Sequence, residues 1–165
     1  MEYLYILVNM NKITKITVKN LKACPEYVPL VSGWMWQQWA KRHGRTLKEI
    51  IYRTEHCLTK KCPQTLIAFY DGHPAGTVSL WNADHPYRQD LSPWLSCLLV
   101  LEKYRGKGVG QALQAALLAT AKKADFKKVY LMTDLKDYYE KAGWKFIESG
   151  LYTEGRITNF YEHKL

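Results

Sequence analysis

The 165-residue sequence contains no apolar run approaching the ~20 residues that a membrane-spanning helix requires. Its apolar start, Met1 to Val8, has neither a basic leader nor a small-residue cleavage site, so it reads as an extra strand rather than a secretory signal. Cysteine is sparse and irregular: Cys24, Cys57, Cys62 and Cys97 form no framework. Cys57 and Cys62 lie near His56 and His73, but the spacing and the missing second cysteine pair do not match a zinc site. Four reduced thiols, no metal and a cytoplasmic location are therefore expected. Internal repeats, low-complexity tracts and Ser/Gly linkers are also lacking, so residues 1–165 read as a single domain.

Acidic residues are in short supply: 15 Asp and Glu against 24 Lys and Arg leave a net charge of +9. That surplus favours an anionic partner, which leaves nucleic acid, a membrane surface and a phosphorylated cofactor open. The basic pairs Lys41-Arg42, Lys60-Lys61, Lys122-Lys123 and Lys127-Lys128 are scattered and read as solvated surface. No helix-turn-helix, zinc or aromatic-strand signature accompanies them, so neither specific nucleic-acid binding nor membrane association is expected.

What is present is ordinary globular chemistry, with 47% hydrophobic residues. Ile13 to Val18 is β-branched apart from Lys15 and reads as a strand with Ile16 and Val18 on one face. A helix opens near Pro25 or Pro29, runs to about His43 and stops at Gly44. Thr46 caps a second helix with Leu47, Ile50, Ile51 and Leu58 as its apolar stripe. Strands Leu66–Tyr70 and Thr77–Trp81 flank Asp71-Gly72-His73-Pro74, a hairpin turn. After a polar loop, Trp94 to Leu101 is nearly continuous apolar sequence, as in a strand buried on both faces. A helix from Gly108 to about Lys123, a strand Val129–Met132, a short helix Lys136–Ala142 and strands Trp144–Tyr152 and Thr158–Lys164 complete the chain. The order predicts an α/β (α+β) fold, a mixed sheet with helices on both faces.

The most informative segment runs from Leu98 to Gln111. A buried strand enters a loop with glycine at every second position, Gly106, Gly108 and Gly110, and a helix begins within it. Glycine lets a ligand approach the backbone closely, and the unpaired amides of a helix start attract anions. Arg105 and Lys107 add positive charge at the rim, so the segment reads as a pyrophosphate cradle. A dinucleotide fingerprint would need a glycine where Gln111 stands, and a P-loop would need Lys-Ser/Thr where Gln111-Ala112 stands. Arg105-x-x-Gly108-x-Gly110 instead resembles the R/Q-x-x-G-x-G/A signature of the GNAT N-acetyltransferase superfamily. Tyr138-Tyr139-Glu140-Lys141-Ala142-Gly143-Trp144 is similar to that family's aromatic segment downstream. Two departures stand out: Glu102 replaces a common proline, and the asparagine that often precedes the tyrosine helix is absent.

The resemblance implies a GNAT-like acyl-CoA N-acyltransferase fold with a central, mostly antiparallel sheet flanked by helices. It implies acetyl-CoA as co-substrate, held by Leu98, Leu99, Val100, Arg105, Gly106, Lys107, Gly108, Val109, Gly110 and Gln111. It further implies direct attack by an amine on the thioester, with a backbone amide near Leu98 stabilising the oxyanion and Tyr139 protonating the leaving thiolate. Cys97 has no histidine beside it in sequence and is expected to be structural rather than nucleophilic. The base is left open among Asp84, His85, Asp90 and Glu55. The expected acceptor is a primary amine on a small molecule, bound by Trp34, Trp39, Asp84 and Trp94, with a monomer or homodimer as the assembly. A protein lysine or N-terminus as acceptor, and a non-catalytic acyl-CoA-binding module, are the alternatives.

Overall fold

A computed structural model of the protein describes residues 2–9, 12–59, 61–135 and 137–165, and side chains within them except at 2, 4–9 and 12–14. Met1, Lys60 and Lys136 of the sequence reading lie outside the described residues. Eight strands form one sheet: β1 (Glu2–Asn9), β2 (Lys12–Asn20), β3 (Gln64–Tyr70), β4 (His73–Trp81), β5 (Trp94–Val100), β6 (Lys128–Thr133), β7 (Lys145–Leu151) and β8 (Ile157–Lys164). Their order is β1-β2-β3-β4-β5-β6-β8-β7, antiparallel throughout except where β5 meets β6. The helices are α1 (Val28–Met35), α2 (Leu47–Glu55) and α3 (Val109–Lys123). The mixed, mostly antiparallel sheet expected from the sequence is what forms.

Strand β3 shows why helices cover both faces. Leu66 and Ala68 point into a core with Leu113, Ala116 and Leu117 of α3. Ile67 and Phe69, one residue out of phase, pack with Val28, Val31 and Met35 of α1 and Ile50 of α2. The period-two alternation of a strand thus feeds two apolar layers. Ile16 and Val18 of β2 do share the α3 face. The hairpin turns on Asp71 and Gly72 alone, at φ 47° and 79°, so His73 and Pro74 already belong to β4.

Several local expectations need correction. The helix expected to end at Gly44 is α-helical only to Met35; Trp36–Ala40 then forms a π turn and Lys41–His43 a tight 3-10 turn, before Gly44 closes it at φ 70°. Thr46 does cap α2, in a capping box with Glu49. Of the expected stripe on α2, Ile50 is buried, but Leu47 is 37% exposed and Leu58 lies past the helix end. The short helix expected before Gly143 reduces to a single 3-10 turn, Glu140–Ala142. Three residues are too few to nucleate an α-helix, and Gly143 at φ 85° ends the turn at once.

Candidate active site

Strands β5 and β6 pair at Trp94 and Tyr130 and part beyond that point. The cause lies in β5. Ser79 of β4 faces Ser96, yet Thr77 faces Leu99, so β5 carries one extra residue there. Cys97 absorbs it in the left-handed region, at φ 52°. Such a bulge bends a strand and breaks its pairing. Gly76 permits the tight contact alongside, because a Cβ there would lie 2.4 Å from the carbonyl oxygen of Leu99. The Leu101 amide donates to Ala75 at 2.9 Å, so the odd-numbered residues of this stretch turn their backbone groups toward β4. Leu98 and Val100 therefore turn theirs toward the open side.

A cleft of about 1180 Å³ fills the gap, lined by Leu95 to Leu98 on one side and Leu131 to Leu135 on the other. In the loop between β5 and α3, Gly106 and Gly108 adopt φ 70° and 82°, and nothing would lie within 4 Å of a Cβ on Gly106. The first helical hydrogen bond of α3 runs from the Ala112 amide to Gly108. The amides of Val109, Gly110 and Gln111 thus have no partner within the helix. Arg105 is exposed and donates from Nε to the Val100 carbonyl at 3.2 Å, tying the loop back to the strand. Exposed Lys107 lies 5.3 Å from the ring centre of Tyr70.

Two titratable side chains border the cleft under unusual conditions. Tyr139 is 7% exposed, and burial, aided by Tyr138, pushes its phenol up to about 12. It is a neutral proton donor throughout the physiological range. The rings of Tyr138 and Trp144 brace it edge-on at 4.9 and 6.1 Å. Asp84 follows β4 and accepts from the Ser96 hydroxyl at 2.8 Å. Burial pushes its carboxyl above the usual carboxylate range, with Ser96 and Arg53 opposing the shift. Burial thus makes this cleft carboxyl a stronger proton acceptor than an exposed carboxylate. Cys97 also lines the cleft, but burial and the nearby Asp84 raise its thiol well above the ordinary value, which keeps it un-ionised and poorly nucleophilic.

The expected site residues divide clearly. Leu98, Tyr139, Trp39 and Asp84 come together around the cleft. Leu99 does not offer its backbone, because its carbonyl faces Gly76. Val109 is 1% exposed, its side chain committed to the core, so only its amide is available. Trp34, on α1, packs against the apolar layer shared with Ile67 and Phe69 and does not line the cleft. Trp94 is corrected outright as an acceptor contact: it is fully buried, stacked on His85 and hydrogen-bonded to Leu91 at 2.7 Å, below the point where the strands divide. His85 is enclosed with it, and burial lowers its basicity. Asp90 is engaged by Arg88 at 2.8 Å. Arg53 and Ser96 escaped the sequence reading; both line the cleft, but only the fold shows it.

The family model for the Acetyltransferase (GNAT) family matches residues 29–144. The chain belongs to the GNAT acetyltransferase family. No functionally curated protein sequence matches it. Solved structures of similar fold include an acetyltransferase from Streptococcus agalactiae at 20% identity and TM-score 0.63, covering 91% of this chain and 98% of that one. An aminoglycoside 6'-N-acetyltransferase complexed with coenzyme A shares 14% identity at TM-score 0.69, covering 89% and 96%. YncA from Salmonella typhimurium, solved with its cofactor acetyl-CoA, shares 14% identity at TM-score 0.69, covering 91% and 94%. The free amides at the start of α3 and the open Gly106 before it suit a pyrophosphate, and the outward-turned backbone of Leu98 and Val100 suits an extended amide-bearing arm. Among the described residues, no three His, Cys, Asp or Glu side chains converge as a metal site. Nor is any helix long and apolar enough among them to cross a membrane.

Proposed function

We propose that this GNAT enzyme transfers the acetyl group of acetyl-CoA to a primary amine on a small molecule, by direct attack. One observation carries the reading: the strand parting at Cys97 opens a cleft bordered by a raised carboxyl at Asp84 and a neutral phenol at Tyr139. The amides of Val109, Gly110 and Gln111, with Arg105 and Lys107, hold the pyrophosphate. Leu98 and Val100 pair with the pantetheine arm. The amine nitrogen forms its bond to the thioester carbon, and the carbon–sulfur bond breaks. The Leu98 amide stabilises negative charge on the carbonyl oxygen, a kind of contact worth about 3–4 kcal/mol in acyl transfer. Asp84 takes the proton lost by the amine, and Tyr139 supplies one to the leaving sulfur.

The test is calorimetric titration with acetyl-CoA, followed by an amine screen that reads thiol release. Binding by the wild type and its loss in Gly108→Trp, where the new side chain fills the cradle at a positive φ, is the expected result. Equal binding by both proteins would place the cofactor elsewhere. Binding without release of thiol for any amine would mark a module that senses acyl-CoA and does not transfer it.

A further inference from the structure

The acceptor end of the cleft is unusually rich in arginine. Arg42, Arg45 and Arg53 border it from the α1–α2 side, and Arg156 from the β7–β8 connection. Arg45 is occupied by Glu49 at 3.4 Å, and Glu49 is itself held in the capping box of α2. Asp84, the other carboxyl near Arg53, is bound to Ser96. Arg53 is different. Its guanidinium carbon lies 3.6 Å from the ring centre of Trp81, a residue only 8% exposed. Among the described residues it has no carboxylate within ion-pair distance. Its charge is nevertheless felt at Asp84 and at Cys97, so it stands close to the point of transfer.

A guanidinium held this close over an indole ring is steadied by cation–π attraction, and its N–H groups can grip two carboxylate oxygens at once. We infer that the acceptor amine carries a carboxylate, as an amino acid does, and that Arg53 binds that carboxylate while Asp84 faces the amino group. This rests on the acetyl-transfer reading above and deepens it to a substrate class. The class differs from that of polycationic amines. An amine without a carboxylate would leave Arg53 unpaired at the cleft wall.

The test compares three series of amines at saturating acetyl-CoA, reading thiol release: the common amino acids, their carboxamides, and the polycations spermidine and kanamycin. In the wild type, the best amino acid is expected to exceed its own carboxamide in kcat/KM by about 30-fold, the lower end for losing a desolvated charge partner. Arg53→Gln should collapse that ratio to about unity by raising KM, while acetyl-CoA binding by calorimetry stays unchanged. Arg53→Lys should fall between the two. Preference for a carboxamide or a polycation, or a ratio unchanged in Arg53→Gln, would overturn the inference and leave acetyl transfer intact. If no series releases thiol although acetyl-CoA binds, the acetyl-transfer reading fails and this inference falls with it.

Discussion

The hydroxyl of Ser96 donates to the carboxylate of Asp84 at 2.8 Å, across the base of the cleft that parts β5 from β6. That one bond sets the orientation of a cleft carboxyl whose affinity for protons burial has raised. Asp84→Asn keeps an oxygen for Ser96 but cannot accept the proton of the amine. We expect kcat to fall about 10²–10⁴-fold, the usual range for general base catalysis, with acetyl-CoA affinity retained. A variant with wild-type kcat at neutral pH would remove Asp84 from the mechanism.

The same substitution should raise stability at neutral pH. Because the folded-state pKa of Asp84 is raised, the native protein holds that proton more tightly than the unfolded chain does. The wild type therefore loses stability as pH rises from the ordinary carboxylate value, near ~4, through the raised one. Asn escapes that loss. The melting temperature of Asp84→Asn should exceed the wild-type value at pH 8, and the gain should shrink toward zero by pH 3. A gain that grows on acidification would contradict this sign.

Tyr139→Phe removes the proton donor and leaves the ring packing with Tyr138 and Trp144 in place. A fall in kcat of about 10–10²-fold is expected, without loss of acetyl-CoA binding. Since the phenol titrates only at about 12, the wild-type rate should show no descending limb from this group below pH ~10. A limb near pH 8 that vanishes in Tyr139→Phe would show that the phenol ionises far lower in the working enzyme.

Gly76→Ala places a methyl group 2.4 Å from the Leu99 carbonyl, a backbone atom that cannot swing aside. Urea denaturation should show a loss of about 1–3 kcal/mol, typical of overpacking. Unaltered stability would mean that the bulge yields more easily than its geometry implies.

Gln114, 4% exposed within α3, accepts the indole N–H of Trp144 at 3.0 Å and so ties α3 to the tyrosine segment. Gln114→Leu strands that donor in the core, at a cost of about 1–3 kcal/mol. The measurement is again the shift of the urea midpoint at unchanged slope.

Much of this was legible in the residues. The glycine spacing at 106, 108 and 110 identified the start of α3, since only a backbone that must take positive φ or lie bare to a ligand repays that choice. Thr46 announced α2, and Asp71-Gly72 the hairpin. What the sequence concealed is of another kind. The π turn at Trp36–Ala40 has no compositional mark. The bulge at Cys97 sits in a run of apolar residues whose pattern does not show which one is extra. Asp84 looked like part of a polar surface loop, and only the fold shows it half-buried at the cleft and bonded to Ser96. Trp94 erred the other way: its place beside the cleft in sequence hid its role as a plug below the fork.

The fork between β5 and β6 has a price outside catalysis. Most β proteins keep unpaired strand edges at the periphery and guard them with charge, whereas here two such edges lie in the middle of the sheet. On the proposed function, the molecule that completes the sheet is its own substrate. A ligand at a hundred times its dissociation constant adds about 2.7 kcal/mol to folding. The lifetime of the enzyme would then follow the supply of acetyl-CoA, making turnover of the protein a gauge of carbon flux as well as its consumer.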